Sequence, residues 1–370
     1  ETGAEAVAIG RTSSALAGSV AVGETAVASS AGGVAIGRDV TASGSQSIAI
    51  GGRNVLAGAN ASGFFAIAVG AGTSAAFDRS TAIGTNAVVG SAASVANGDT
   101  VTTGDTGRNV SIGSSSTANA GTAGGGAVAI GRSNTAFGDG AVSIGDPSYA
   151  SGTGAFTGGA NNIANSDGTT TATAANQADG AVAIGNSNLA IGQGSVALGN
   201  DSTAGAVGIA GNVAIGDGAT AAVSAGDVAL GSGSVTDTAV ATPSTIIDGV
   251  TYNFAGTTPT STVSVGTVGG ERTITNMAAG RISDSSTDAI NGSQLFATNQ
   301  SIENLSNQVD ASATHYYSVN DGGVQGANYD NNGATGVNSL AAGVAAASTG
   351  ANSVAIGLAS ASVGEDSVAI

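Results

Sequence analysis

Ser353-Val354-Ala355-Ile356-Gly357 recurs in near-copies from one end of the 370-residue chain to the other. The copies end at Gly10, Gly23, Gly37, Gly51, Gly70, Gly84, Gly113, Gly131, Gly145, Gly185, Gly199, Gly216, Gly231 and Gly357, most often fourteen residues apart, and a last one, Ser367 to Ile370, stops where its glycine should come. Larger apolar residues alternate with small ones inside each copy, which is the period of a strand. The closing glycine supplies the positive φ of a tight corner. A weaker element, such as Thr135-Ala136-Phe137-Gly138 or Leu189-Ala190-Ile191-Gly192, falls between successive copies. Two short strands and two corners therefore make one period.

A period this short closes no core alone, so successive periods must stack in register. The expected fold is mainly β, a parallel β-roll solenoid with two strands per turn and an interior of Val, Ile and Ala. With strands about 4.8 Å apart, roughly fifteen turns before Gly231 make a rod on the order of 70 Å long.

Composition agrees. Sixty-two Gly, 3% aromatic and 9% charged residues lie far from a globular mix and point to repeats or low complexity, between which the alternation decides for repeats. The eight basic residues are all Arg, and the net charge of −17 repels nucleic acid and anionic membrane faces. No Cys is present, which suits an exported chain that must stay uncrosslinked in transit. Neither a signal peptide nor an apolar run long enough to span a bilayer is found. A chain that starts and stops within repeats is expected to be a piece of something longer.

In order, residues 1–234 are the main solenoid, with surplus residues near Phe64 and Phe65 and around Gly124 to Gly126. The longest interruption, 146–180, is either degenerate turns or a projecting loop; Tyr149 and Phe156 are its possible ligand contacts. All three prolines (Pro147, Pro243, Pro259) and all five tyrosines lie outside the recognisable repeats, so the coil is expected to stop there. Residues 235–272 lose the rhythm and form an insert with strands at 246–254 and 262–265. A link at 273–296 places Asp288 where a helix start favours a carboxylate. Leu295, Ile302 and Val309 are then spaced by sevens with Thr298 and Leu305 between them, about three heptads over 297–313 that need partner helices. A β-rich connection at 314–340 leads to a truncated second head at 341–370.

With repeats, link and heptads in hand, the chain resembles the trimeric autotransporter adhesins with YadA-type heads. Asn352 to Gly357 matches that family's head repeat. Ile274 to Gly280, with Asp288-Ala289-Ile290-Asn291 and Gln294-Leu295, is similar to its neck, though Met277 and Ile290 stand where Val is commoner. Asp248 to Tyr252 resembles its head insert, and His315 to Asn320 its joiner into the next head. The resemblance implies left-handed β-rolls in a homotrimer, a neck where chains cross, and a short trimeric coiled coil. It also implies a signal peptide and a C-terminal outer-membrane barrel, neither within these residues, so that the membrane is met only through that absent anchor. In the neck, Asn276, Asp288, Asn291 and Gln294 are expected to tie crossing backbones, since buried polar groups need partners.

The implied function is adhesion at the bacterial cell surface, to host extracellular matrix proteins, cells or abiotic surfaces, through weak contacts multiplied by avidity. The alternative is a structural spacer that projects another adhesive domain. A left-handed β-helix acyltransferase is a remote third: those coils use a hexapeptide period, no thiol is present, and the one histidine, His315, falls in the joiner. No enzyme activity, cofactor or nucleic-acid partner is expected. Asp139, Asp146 and Asp217 flank corners without a repeating calcium pattern, so they are taken as solvated, and Arg11, Arg38 and Arg132 as outer decoration.

Overall fold

A computed structural model describes residues 4–52, 56–311 and 318–370. They divide into two compact units, Glu1–Asn276 with Ile282–Thr287, and Met277–Arg281 with Asp288–Ile370.

The first unit is the solenoid. Each turn gives one strand to a 16-stranded parallel sheet, the broad sheet, and one to a 14-stranded parallel sheet, the narrow sheet. Pairing runs without a slip, as in Val34↔Ile48, Ala35↔Ala49 and Ile36↔Ile50. Period-two alternation leaves one phase inside. That phase is mainly alanine: Ala35, Ala49, Ala68 and Ala82 are all 0% exposed, with Ser111, Ser143 and Thr157 in the same inward column, while Ile36 and Ile50 stay 39% and 37% exposed. The expected Val and Ile interior is thereby corrected. A fourteen-residue coil is flat, so most branched side chains take the outer face, while Val40, Val89 and Val101 stay in the core.

The corners explain the glycines. Gly84 and Gly113 have φ of 122° and 123°, and a Cβ on either would stand 2.0 and 1.9 Å from the carbonyl oxygen of Gly98 and Gly131 in the next turn. The backbones of successive turns thus touch where these residues lie.

Where a corner needs more volume than alanine offers, buried asparagine and serine fill it. Ala127 begins one turn and Asn134 its second half; Ala155 goes with Asn162 and Ala181 with Asn188, all fully buried. The Asn162 amide donates to the carbonyls of Gly158 and Gly185 at 2.9 and 2.8 Å, and its oxygen accepts the Asn188 N–H at 3.0 Å. The polar groups of Asn162 are thus satisfied inside the coil, whereas the buried Asn134 oxygen has no hydrogen-bond partner among the described residues.

The excursions are tied the same way. Asn109 accepts the N–H groups of Ala120 and Ala127 at 2.9 and 3.1 Å across the surplus residues near Gly124, which stand where the spacing puts them. The surplus between Gly51 and Gly70 is placed differently. Strands Asn60–Ala61 and Ile67–Val69 keep the usual separation, so the additional residues lie before Asn60 and not at Phe64 and Phe65.

The 146–180 interruption is mostly coil. Strands Ser148–Ser151, Phe156–Ala160 and Asn162–Asn165 continue both sheets, and only the following segment leaves them. The expectation that the coil stops at its tyrosines fails at Tyr149, which pairs with Thr135 and Ile163 in the narrow sheet. An outward position there tolerates a ring because nothing in the coil interior has to accommodate it. Buried Asn165 closes the excursion, donating to Thr169 and Thr171 carbonyls at 2.8 and 2.9 Å and accepting the Gly168 N–H at 2.7 Å.

The roll also outlasts Ser234. Val263–Ser264 pairs with Val228–Ala229 as the last rung of the broad sheet. What was expected as one strand at 246–254 is a hairpin, Ser244–Ile247 against Val250–Asn253, because Asp248 and Gly249 take φ of 49° and 76° as a type I′ turn requires. Asp227, fully buried, fastens the returning strand by accepting the Thr262 N–H at 2.9 Å and the Ser224 N–H at 2.8 Å. Burial pushes its carboxyl upward, but the Thr262 and Ser224 hydrogen bonds outweigh it and hold the group below its ordinary value.

The second unit holds the helix Gly292–Ala311 and a short roll whose strands run from Leu340–Ala342 to Val368–Ala369. The helix starts at Gly292, so Asp288 is not in its first turn. Residues 318–339 form no strand in place of the expected β-rich connection, apart from one bridge between Ala334 and Ser348. His315, Tyr316 and Tyr317 lie outside the described residues.

Gly113→Ala combines a positive φ with a backbone clash and should lower stability by roughly 3 kcal/mol, read by thermal melting; an unchanged midpoint would refute the touching-corner account. Because the folded Asp227 carboxyl is depressed, its contribution is complete above the unfolded value of roughly 4 and fades as pH falls through the folded one. Asp227→Asn should lower the melting temperature at pH 7 and flatten its acid dependence between about pH 5 and 2.

Candidate functional site: uncovered apolar surfaces and the neck

With alanine inside, the outer face of the broad sheet carries the branched residues. One column reads Val20, Val34, Ile48, Ile67 and onward to Val213 and Val228; the other reads Val22, Ile36, Ile50, Val69 and onward to Ile215 and Leu230. Asn97 interrupts the second column. At Gly158 the missing side chain is replaced by the ring of Phe156, whose Cε1 lies 3.1 Å from where a Gly158 Cβ would stand. Phe156 thus belongs to this apolar face, and the structure does not bring it together with Tyr149 of the narrow sheet. The narrow sheet turns mainly small and hydroxyl residues outward, among them Thr102, Thr117 and Thr135.

The helix is likewise uncovered. None of its residues is buried, and Leu295, Ile302, Leu305 and Val309 are 56 to 62% exposed. Thr298 shares the stripe, its hydroxyl donating back to the Gln294 carbonyl at 3.3 Å. Phe296, 62% exposed, adjoins the stripe; the heptad count passed over it because it is not a core position.

The neck side chains act locally within the second unit. Asn291 caps the helix: Gln294 reaches back to accept the Asn291 N–H at 3.1 Å, half of a capping box. Gln294 also accepts the Gly280 N–H at 3.0 Å and donates to the Gly280 carbonyl at 2.7 Å, and Asn291 donates to the Met277 carbonyl at 3.1 Å. Asp288 grips Arg281 with both oxygens, at 2.7 Å to Nε and 3.0 Å to Nη2. The Arg281 side chain, with its backbone N–H, holds the Asp288 carboxyl below its ordinary range. Asn276, in the other unit, takes a left-handed φ of 62°.

Among the described residues no three His, Cys, Asp or Glu side chains gather as a metal-holding group. Asp139 accepts the Gly126 N–H at 3.1 Å, Asp146 pairs with Arg132 at 3.5 Å, and Asp217 accepts from Asn200 at 2.8 Å. Arg11 and Arg38 pair with Glu24 at the surface. Among the described residues no helix is long and apolar enough to cross a membrane.

An uncovered β-roll followed by an uncovered helix stripe is also what known families combine. The YadA head domain repeat matches residues 17–39, 61–87, 123–148, 177–202, 190–207, 334–360 and 348–370, and the coiled stalk of trimeric autotransporter adhesin matches residues 273–316. The chain belongs to the trimeric autotransporter adhesins. The autotransporter adhesin BtaE of Brucella suis biovar 1 (strain 1330) is 66% identical over 73 residues, which are 20% of this chain and 10% of that protein. This adhesin chain therefore spans about a tenth of the length of that relative. Among solved structures, the C-terminal YadA-like domain of BPSL2063 from Burkholderia pseudomallei is 56% identical, covers 30% of this chain and 49% of that one, and has a TM-score of 0.25.

Within the adhesin neck, Arg281→Ala should return the Asp288 carboxyl toward its ordinary range, an upward shift visible in an NMR pH titration; an unmoved titration would rule out the ion pair as its cause.

Proposed function

We propose that three copies of this chain associate through the outer face of the broad sheet and the helix stripe, and that the assembly is an adhesive module at the bacterial cell surface. The supporting observation is the pair of Val and Ile columns running along the head with no cover from the chain itself. Apolar area of that extent favours association at about 25 cal/mol per Å² removed from water, and contiguous patches of this kind mark interaction sites. Closed rotational symmetry lets every copy bury the same surface. The family's stalk match supports the same stoichiometry for the helix, whose five apolar and hydroxyl stripe residues follow heptad spacing.

Attachment would then draw on many weak contacts repeated along parallel heads, with host matrix proteins, cells or abiotic surfaces as targets. The cell-surface location rests on the family, whose full-length members carry an outer-membrane anchor. Asn276, Asp288, Asn291 and Gln294 would serve where chains cross, in addition to the local bonds three of them make.

Sedimentation of the intact chain should give three times its 34.2 kDa mass. Replacing both Leu295 and Ile302 by Asp should shift it toward monomer, because six carboxylates would otherwise be brought into one apolar seam; an undisturbed trimer would remove the helix stripe from the interface. Beads coated with the chain should adhere to at least one of collagen, fibronectin, laminin or plastic, and failure on all of them would favour a spacer that projects another adhesive domain.

A further inference from the structure

Of the arginines among the described residues, most are engaged. Arg11, Arg38, Arg132 and Arg281 pair with carboxylates, and Arg272 donates to Ser234 and to the Val265 and Ser232 carbonyls. Arg79 and Arg108 have no such partner, and both line one recess of about 560 Å³ at a corner of the solenoid. They occupy equivalent corner positions two turns apart, each two residues before its broad-sheet strand, with Ala93 between them. Two stacking steps put their backbones roughly 10 Å apart. Asp105 also lines the recess, so the balance there is two guanidiniums against one carboxylate, on a chain whose net charge is −17.

The turn beside Arg79 gathers three exposed phenyl rings. Phe64, Phe65 and Phe77 are 44, 47 and 42% exposed, the rings of Phe64 and Phe65 meet edge to face at 4.0 Å, and the Phe64 carbonyl accepts the Arg79 N–H at 2.7 Å. Phe65 has a φ of 56° at a corner position that Gly18, Gly32, Gly140 and Gly154 fill elsewhere with φ near 70°. It is the one aromatic residue with left-handed φ among the described residues. Glu5, Gln46, Arg79 and Ala93 take a similar φ at that position, and a phenyl there stays 47% exposed at a cost of about 1 kcal/mol or more.

We propose that this corner binds an acidic segment of polypeptide, with its carboxylates on Arg79 and Arg108 and an adjoining aromatic or aliphatic side chain against the Phe rings. Guanidinium forks pair with carboxylates bidentately, and Arg with aromatic anchors is the composition of binding hot spots. Besides the two guanidiniums the recess is lined by Ser91, Asp105 and Thr106 among alanine and glycine, and the phenyl rings beside it offer apolar contact only; paired guanidiniums next to such rings favour carboxylates with an apolar neighbour. The recess lies within one chain and does not depend on the three-copy assembly.

The test uses the intact chain and a fluorescein-labelled peptide of alternating glutamate and phenylalanine, followed by fluorescence anisotropy. The peptide should bind at low ionic strength and be released by salt, with a glutamine version binding at least about tenfold more weakly. The pair Arg79→Ala and Arg108→Ala should cost about tenfold or more, and Asp105→Asn should tighten binding by removing a competing carboxylate. Phe65→Gly should weaken binding while raising the melting temperature, an opposition that a purely structural role would not produce. The reversal Arg79→Glu with Arg108→Glu should transfer preference to a lysine version of the peptide, which also shows that the variant is folded. No binding, binding indifferent to these arginines, or preference for a heparin-derived oligosaccharide at the same residues would each overturn the proposal.

Discussion

Backbone contact between successive glycine corners is the constraint from which the other features of the head follow. A Cβ at Gly84 or Gly113 would fall within about 2 Å of the next turn's carbonyl, so the corners close as tightly as the polypeptide allows. Tight corners make a flat coil, and a flat coil admits mostly small side chains between its two sheets. Alanine fills the interior for that reason, and the branched residues that would form the core of an ordinary sandwich are displaced to the outside. The head therefore keeps its largest apolar surface uncovered by its own chain.

The same narrowness shapes the polar interior. A buried asparagine is tolerated at a corner where the other half of the turn begins with alanine, as with Asn134 and Ala127 or Asn188 and Ala181, and where its amide finds two carbonyls; the Asn188 oxygen also accepts the Ser202 N–H. Three excursions from the coil are tied by a buried polar side chain: Asn109 near Gly124, Asn165 after the narrow-sheet strand Asn162–Asn165, and Asp227 where the insert returns. Departures from fourteen residues are thus built into the hydrogen bonding of the roll, and strand register passes across them without a slip.

Helix and roll present the same problem in two forms. A helix with no buried residue and a roll with outer columns made mostly of Val and Ile both lack, within one chain, the burial that normally offsets conformational entropy. Proteins of this family are trimeric adhesins by description, and the proposed association of copies would cover both with one symmetry.

The amino-acid sequence determined the period, the two strands per turn, the corner glycines and the heptads, because each of these is local and repeats many times. Asn97-Gly98 and Gly158-Gly159 hid two turns from the same reading, since a missing or polar third residue disguises the repeat while leaving its backbone role intact. The hairpin at Asp248-Gly249 carried a legible turn signal that an uninterrupted apolar run obscured. Only the tertiary structure decided which phase of the alternation faces inward, that Phe156 belongs to the apolar face and Tyr149 to the opposite sheet, and that Arg79 and Arg108 line one recess. Those outcomes depend on coil width and on which residues stacking brings together, and neither is encoded within any single turn.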